Sequence, residues 1–251
     1  MRGSQTLTYL ALLLGSLAAP ACSDDAGTDT TDATTTDTTT TDATTDTTDT
    51  TDSNTDTDTS TDTGEDDCYA ELHAIVSDID ETLTTADSEF LMQLIDSTYD
   101  PLERQDAAAL MHDYHDRGYF ILYLTARGEG QQSIDNMTGA RDLTMTWLED
   151  HGFPLDHAEL VLAPGLVMGD ETVMYKAGAL MERQAQGYSF DYAYGNADTD
   201  IAAYEQAGIS KDATFIIGVE AGMQGTVGID EEDYVMHRAS HIPTVPEYCG
   251  G

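Results

Sequence analysis

Basic residues are nearly missing from this chain. Nine Lys+Arg stand against 48 Asp+Glu in 251 residues, a formal net charge of -39. Residues 68–251 alone hold 33 of the acids and 8 of the bases, so the imbalance is not confined to a tail. Such a field repels nucleic acid and anionic bilayer surfaces, which argues against electrostatic binding to either. A phosphate-bearing ligand has to be attracted by something local, such as a metal ion. Long apolar runs are also lacking: Tyr9–Ala19 is too short to cross a hydrocarbon core of ~30 Å as a helix, and nothing later in the chain reaches ~18 apolar residues. No Gly-x-Ser-x-Gly elbow, Walker A loop or His-Glu-x-x-His helix occurs, which removes those serine-hydrolase, P-loop and zincin chemistries.

What is present divides into regions by composition. Residues 1–22 read as a signal peptide, with Arg2 as the positive start, the Tyr9–Ala19 run, and Ala19-Pro20-Ala21 in the small-x-small form of a cleavage site. Cys22 resembles the acceptor cysteine of bacterial lipoproteins, although Ala19 and Pro20 depart from the usual Leu-Ala/Ser. The expectation is an exported protein, anchored to a periplasmic or cell-surface membrane by lipid on Cys22, or otherwise secreted. Residues 23–67 are almost wholly Thr and Asp, with 14 Asp, Glu65 and no base. They have no apolar area to offset chain entropy and their like charges repel, so a disordered, extended linker is expected. Residues 68–251 form the predicted folded domain. Cys68 and Cys249 lie at its edges, where an oxidising compartment favours their pairing as a disulfide.

Within that domain, short apolar runs alternate with helical spacing. The runs are Ala70–Ser77, Tyr119–Thr125, Ala158–Leu162, Phe190–Gly195 and Thr214–Gly218. The helical segments are Ala107–Arg117, Met137–Asp150, Lys176–Gln186 and Asp200–Ala207, followed by Gly118, Gly152, Gly187 and Gly208 where helix C-termini favour glycine. This alternation predicts an α/β fold with a mostly parallel sheet covered on both faces. Trp147, with Met145 and Leu148, reads as core.

Ligands of open parallel sheets bind beyond the carboxyl ends of the strands, and candidate chemistry gathers there. Asp78-Ile79-Asp80-Glu81-Thr82 directly follows Ala74-Ile75-Val76. Two carboxylates leaving a buried strand are costly unless a metal or a reaction uses them; one suits a nucleophile and its neighbour a proton carrier. Two other readings stay open: Asp78 as the cap of a turn, or Asp78, Asp80, Thr82 and Glu89 at positions 1, 3, 5 and 12 of a calcium loop. Leu83, however, stands where such a loop needs Gly. Thr125-Ala126-Arg127-Gly128, after Ile121–Leu124, offers a hydroxyl and backbone N–H groups to phosphate oxygens. Lys176 is one of only two lysines and suits pairing with phosphate or carboxylate. Gly195-Asn196-Ala197-Asp198-Thr199-Asp200 offers oxygen ligands of the hard type that suits Mg²⁺. His112 and His115 share a helix face, but two histidines without further ligands read as surface groups.

Taken in order, these motifs resemble the haloacid dehalogenase (HAD) superfamily and, within it, the C-terminal catalytic domain of the lipins. Ser77-Asp78-Ile79-Asp80-Glu81-Thr82-Leu83-Thr84 is similar to their Ser-Asp-Ile-Asp-Gly-Thr-Ile-Thr. Leu122–Arg127 with Gly130-Gln131, and Tyr194-Gly195-Asn196 through Asp200 to Tyr204, resemble two later blocks. Glu81 in place of Gly and Ala197 in place of Arg are departures. The resemblance implies a HAD-like Rossmannoid three-layer sandwich with a minimal cap, because the stretch between Leu83 and Gly118 is too short for a large one. It further implies a Mg²⁺-dependent phosphomonoesterase of the phosphatidate phosphatase kind. Asp78 is then the nucleophile that forms an aspartyl-phosphate and Asp80 the general acid and base. Thr125, Ala126, Arg127 and Lys176 bind the phosphate. Mg²⁺ is held by Asp78, the Asp80 carbonyl and Asp200, with Asn196 assisting. The substrate is phosphatidic acid or a soluble phosphomonoester. The alternative is a non-catalytic lipin-like module that binds phosphatidic acid, since relatives linked to phosphatidylinositol transfer keep the fold without the activity.

Overall fold

The computed structural model describes residues 72–229 and 232–248. The segments expected to be a signal peptide and a linker, together with Cys22, Cys68 and Cys249, lie outside the described residues. Among the described residues no helix is long and apolar enough to cross a membrane.

Six strands, β1 (Leu72–Ser77), β2 (Phe120–Gly128), β3 (Ala158–Ala163), β4 (Tyr188–Gly195), β5 (Thr214–Ile217) and β6 (Val227–Ile229), form one sheet. Its order is β3-β2-β1-β4-β5-β6 and every pairing is parallel. This is the order of doubly wound folds, in which the connections reverse direction beside the first strand and leave a crevice between β1 and β4. The helices are α1 (Ser88–Ile95), α2 (Ala107–His115), α3 (Ala140–Asp150), α4 (Asp170–Ala185), α5 (Asp198–Gln206) and α6 (Val235–His241).

Strand periodicity splits the core into two slabs. Ile75, Ile121 and Tyr123 point to one face, where Leu110, Met111, Tyr114, Trp147 and Tyr234 cover them. Ala74, Val76, Phe120, Leu122 and Leu124 point to the other, against Ala179 and Leu180 of α4 and Tyr204 of α5. The result is the expected three-layer α/β sandwich. Four of the helices match the spacing read from the sequence, and the four glycines after them all have positive φ, from 71° to 103°.

Three elements depart from the expectation. β6 escapes notice because Val-Gly-Ile is too short to carry a period. α1 lies in the segment between Leu83 and Gly118, and a buried Glu89 pins it there. The Glu89 carboxylate accepts bonds from the Tyr99 hydroxyl (2.8 Å), the Leu102 N–H (2.9 Å) and the Thr85 hydroxyl (3.2 Å). That engagement also turns Glu89 away from the calcium-loop role. Trp147 Nε1 donates to the Pro101 carbonyl at 2.9 Å and fastens the far end of the segment to α3. Among the described residues this small ordered insertion is the minimal cap expected between Leu83 and Gly118.

The third departure is α6, which carries two histidines into an aromatic layer. The hydroxyls of Tyr114 and Tyr194 meet at 2.8 Å; Tyr194 also reaches His237 Nε2 at 2.9 Å and Tyr114 reaches His241 Nε2 at 2.8 Å. The two imidazoles stack at 5.0 Å and lie against Phe215. Burial, with His241 adding to it, pushes the His237 pKa down to about 4, and burial pushes His241 down to about 4. The unfolded chain binds these protons near 6.5 and the folded chain does not. Their stabilisation is therefore present above pH ~6.5 and is lost as pH falls toward about 4. Denaturant titrations across that window should show falling stability, with a shallower fall in a His237→Gln/His241→Gln variant.

Candidate active site

Asp78 extends β1 by one residue, its N–H donating to the Tyr194 carbonyl at 3.0 Å. That carbonyl also accepts the Tyr204 hydroxyl of α5 at 2.7 Å, so one oxygen ties together the ends of β1 and β4 and the last turn of the next helix. After Asp78 the chain turns tightly. The N–H groups of Thr82, Leu83 and Thr84 all point at the Ile79 carbonyl, and Glu81 takes φ 55°. A glycine meets that conformation without cost, whereas Glu81 bears a strained one. Arg104 compensates, donating from both Nε (3.1 Å) and Nη2 (2.9 Å) to the Glu81 carbonyl.

The centre of the site is an ammonium between two buried carboxylates. α4 buries Thr172, Lys176 and Leu180, four residues apart, so Lys176 lies on the inward stripe. Its Nζ is 2.5 Å from Asp78 Oδ1 and 2.6 Å from Asp200 Oδ1, and all three side chains are buried. Asp200 Oδ2 accepts the backbone N–H groups of Asn196 (3.1 Å) and Ala197 (3.2 Å) at the start of α5. A side chain at Gly195 would put its Cβ 2.6 Å from Asp200 Cβ, so only glycine leaves room for that carboxylate. Burial pushes the Asp78 carboxyl up to about 7; Lys176 opposes the shift, and Asp200 and Asp80 add to it. Burial works against the Lys176 ammonium, but Asp200 and Asp78 outweigh it and hold its pKa above the ordinary lysine value.

Beside this trio stands a second ion pair. Arg127 grips Asp80 through Nη2 to Oδ1 (2.8 Å) and Nε to Oδ2 (3.0 Å), and Thr125 donates to Asp80 Oδ2 at 3.1 Å. The pairing of β2 with β3 shifts register between Thr125 and Gly128, which places Ala126 and Arg127 in the irregular stretch. The Arg127 guanidinium is held further by the Thr144 hydroxyl at 2.8 Å and by the Phe90 ring, 4.2 Å away. The sequence reading set Arg127 against the substrate; the structure buries it and turns it onto Asp80, where it orients the carboxylate.

The pocket therefore brings together Asp78, Asp80, Thr125, Lys176, Asn196 and Asp200, from the ends of β1, β2 and β4 and from α4 and α5. Asn196 Oδ1 accepts the Thr82 hydroxyl at 3.2 Å and its Nδ2 donates to Glu81 at 3.3 Å. Thr82 also donates to Asp78 Oδ2 at 3.1 Å. The sequence reading assigns Thr82 no catalytic role, notes Glu81 only as a departure, and does not single out Arg104. The Thr of Asp-x-Asp-x-Thr was a signal for the first, whereas nothing local marks Arg104.

The donor set suits a hard divalent cation. With Asp78 ionised, Asp78, Asp200 and Lys176 sum to one negative charge, and the Asp80–Arg127 pair is neutral. A divalent ion would reverse the sign of the pocket to the one a phosphoryl group needs. Breaking a buried ion pair by removing one partner costs about 3–5 kcal/mol. Lys176→Met should lower unfolding free energy by that order, read as a fall in denaturant midpoint at neutral pH.

Comparison with known proteins follows the same residues. The family model for the LNS2 domain of PITM 1-3 matches residues 75–218, more than half of the 251-residue chain. Protein retinal degeneration B of Drosophila melanogaster is 28% identical over 176 residues, 69% of this chain and 13% of that protein. The phosphatidate phosphatase LPIN3 of Mus musculus is 27% identical over 158 residues, 57% of this chain and 17% of that protein. The chain thus spans less than a fifth of the length of these curated relatives. Among solved structures, the D,D-heptose 1.7-bisphosphate phosphatase of B. bronchiseptica, complexed with magnesium and phosphate, aligns at TM-score 0.43 and 12% identity. That alignment covers 67% of this chain and 98% of that one. By the family match and by the order of its motifs along a parallel α/β sheet, this chain belongs to the LNS2 family, with a HAD-like fold that resembles the lipin catalytic domain.

Proposed function

We propose that this protein is a Mg²⁺-dependent phosphomonoester hydrolase working through an aspartyl-phosphate. The observation that carries the reading is the convergence of Asp78, Asp80, Thr125, Lys176 and Asp200 at one end of the sheet, with Lys176 bridging two buried acids. Asp78 attacks phosphorus while Asp80, entering the step protonated, passes its proton to the leaving oxygen, so that the P–O bond breaks and the alcohol departs. The Asp80 carboxylate, held by Arg127, then takes a proton from the water that attacks the aspartyl-phosphate, releasing inorganic phosphate and the free Asp78 carboxylate. Lys176 and the Thr125 hydroxyl bind phosphoryl oxygens, and the N–H of Ala126 adds a donor. Arg127 acts on Asp80 by holding its orientation. Asp78, the Asp80 carbonyl and Asp200, with Asn196 beside them, would hold Mg²⁺, which would supply the positive charge that phosphoryl oxygens require.

The substrate class is a phosphomonoester. Phosphatidic acid heads the candidates because phosphatidate phosphatases are among the relatives, whereas the acidic domain counts against docking on an anionic bilayer and keeps a soluble phosphomonoester as the alternative. A second reading, phosphate binding without turnover, is favoured by the match to the PITM 1-3 domain; the presence of both Asp78 and Asp80 in one pocket argues for catalysis. The charge run, the apolar run and Cys22 support an exported protein held off a membrane by the Thr/Asp linker. Mass spectrometry of the mature N-terminus should find a diacylglyceryl group on Cys22.

Phosphate release should be measured on phosphatidic acid, phosphatidylglycerol phosphate, nucleotides and sugar phosphates, with Mg²⁺, with Ca²⁺ and with chelator. The expected result is Mg²⁺-dependent release from at least one of them, lowered at least about 10³-fold in Asp78→Asn. Release that survives this substitution would eliminate Asp78 as nucleophile, and phosphate binding without release would select the second reading.

A further inference from the structure

His112 and His115, set aside in the sequence as a pair without further ligands, acquire them in the fold. They stand in the last turn of α2, with Asp116 next, at spacings of three and four residues that place all three on one helix face. One ligand atom from each lies within 4.8 Å of the other two. His115 sits between two carboxylates, Nδ1 at 3.5 Å from Asp116 and Nε2 at 3.4 Å from Asp156, which the loop between α3 and β3 supplies. His112 Nε2 meets the Gly152 carbonyl of the same loop at 2.6 Å, so that the ring is oriented by a backbone oxygen. Histidines that bind metals are oriented in this way, by a carbonyl or carboxylate on the nitrogen that does not bind.

The position is separate from the candidate active site. α2 ends where β2 begins, and the loop carrying Asp156 ends where β3 begins, so the cluster lies at the amino ends of these parallel strands. Asp78, Thr125 and Asn196 lie at the carboxyl ends of theirs. The cluster is also at the surface, with His112, Asp116 and Asp156 exposed and His115 half-buried. A helix C-terminus carries partial negative charge, and this chain has a net charge of -39, so both local and global fields favour a cation there. Two imidazoles with carboxylates select a borderline transition metal over Mg²⁺ or Ca²⁺, which take oxygen ligands.

We propose that His112, His115 and Asp116, with Asp156 of the loop before β3 beside His115, form a binding site for a divalent transition-metal ion of the Zn²⁺ class. The ion clips the end of α2 to the loop that precedes β3. Its occupancy stabilises the folded chain by mass action, independently of phosphatase activity.

The test is equilibrium dialysis of the full chain, free of a histidine tag, against micromolar Zn²⁺ in excess Mg²⁺ at neutral pH. Wild type, His115→Ala, His112→Ala and Asp200→Asn are compared, and thermal melts are recorded with and without Zn²⁺. The expected result is one Zn²⁺ bound by wild type and by Asp200→Asn, with affinity at least about tenfold weaker in either histidine variant. Zn²⁺ should raise the melting temperature of wild type and not that of His115→Ala. Equal uptake by wild type and both histidine variants, which places the metal on thiols or on the acidic pocket, overturns the proposal. So does the absence of uptake by wild type, or a loss confined to Asp200→Asn.

Discussion

The structure depends on one ammonium. Asp78 and Asp200 are both buried at the carboxyl end of the sheet, and two carboxylates withdrawn from water are tolerable only if something cationic is withdrawn with them. Lys176 is that group, at 2.5 and 2.6 Å from the two acids. The remaining features of the site make this contact possible. Thr172, Lys176 and Leu180 share one stripe of α4, which turns the lysine inward. Gly195 vacates the space that the Asp200 carboxylate fills, and the first N–H groups of α5 satisfy its other oxygen. The Tyr194 carbonyl fastens Asp78 in place from the neighbouring strand. The same contact that stabilises the resting pocket leaves the trio with one net negative charge when both acids are ionised.

In so acidic a chain, the placement of the few bases is informative. Of the eight in residues 68–251, Lys176 and Arg127 are buried in the candidate site, and Arg104 supports the strained turn at Glu81. Arg127 and Asp80 form a neutral, hydrogen-bonded pair against Phe90 and Thr144. The pair fixes one acid while its neighbour, two residues earlier, remains under the influence of Lys176. Neighbouring carboxylates are thereby given different partners and different environments, the condition under which two like groups take up different chemical tasks. Outside the site the excess of acid keeps the domain soluble and raises the cost of approaching an anionic surface.

Much of this was legible in the residues. The α/β class followed from apolar runs alternating with helical spacing, and five of the six strands lie where those runs are. Asp78, Thr125, Asn196 and Asp200 stood out because acids and hydroxyls directly after buried strands are local, costly arrangements. Lys176 stood out through scarcity. α1 was not legible, because its eight residues gain their stability from contacts made by Glu89 with Tyr99 and Leu102 rather than from helix propensity. β6 was too short to carry a period. α6 is held by tyrosine–histidine hydrogen bonds and ring contacts that no local pattern announces.

Local composition and periodicity were enough to establish the class of fold, the direction of its sheet and the set of acids that meet at the strand ends, since each follows from interactions between residues close in the chain. Partner choice was settled by long-range packing. Which strands became neighbours put β4 beside β1 and so brought Asp200 to Lys176 and Asp78. The register shift in β2 turned Arg127 toward Asp80, and the loop before β3 brought Asp156 to His115. Residues 24 to 98 positions apart meet in these contacts. A chain specifies such meetings only through the rotation and order of whole elements, which no short stretch of sequence contains.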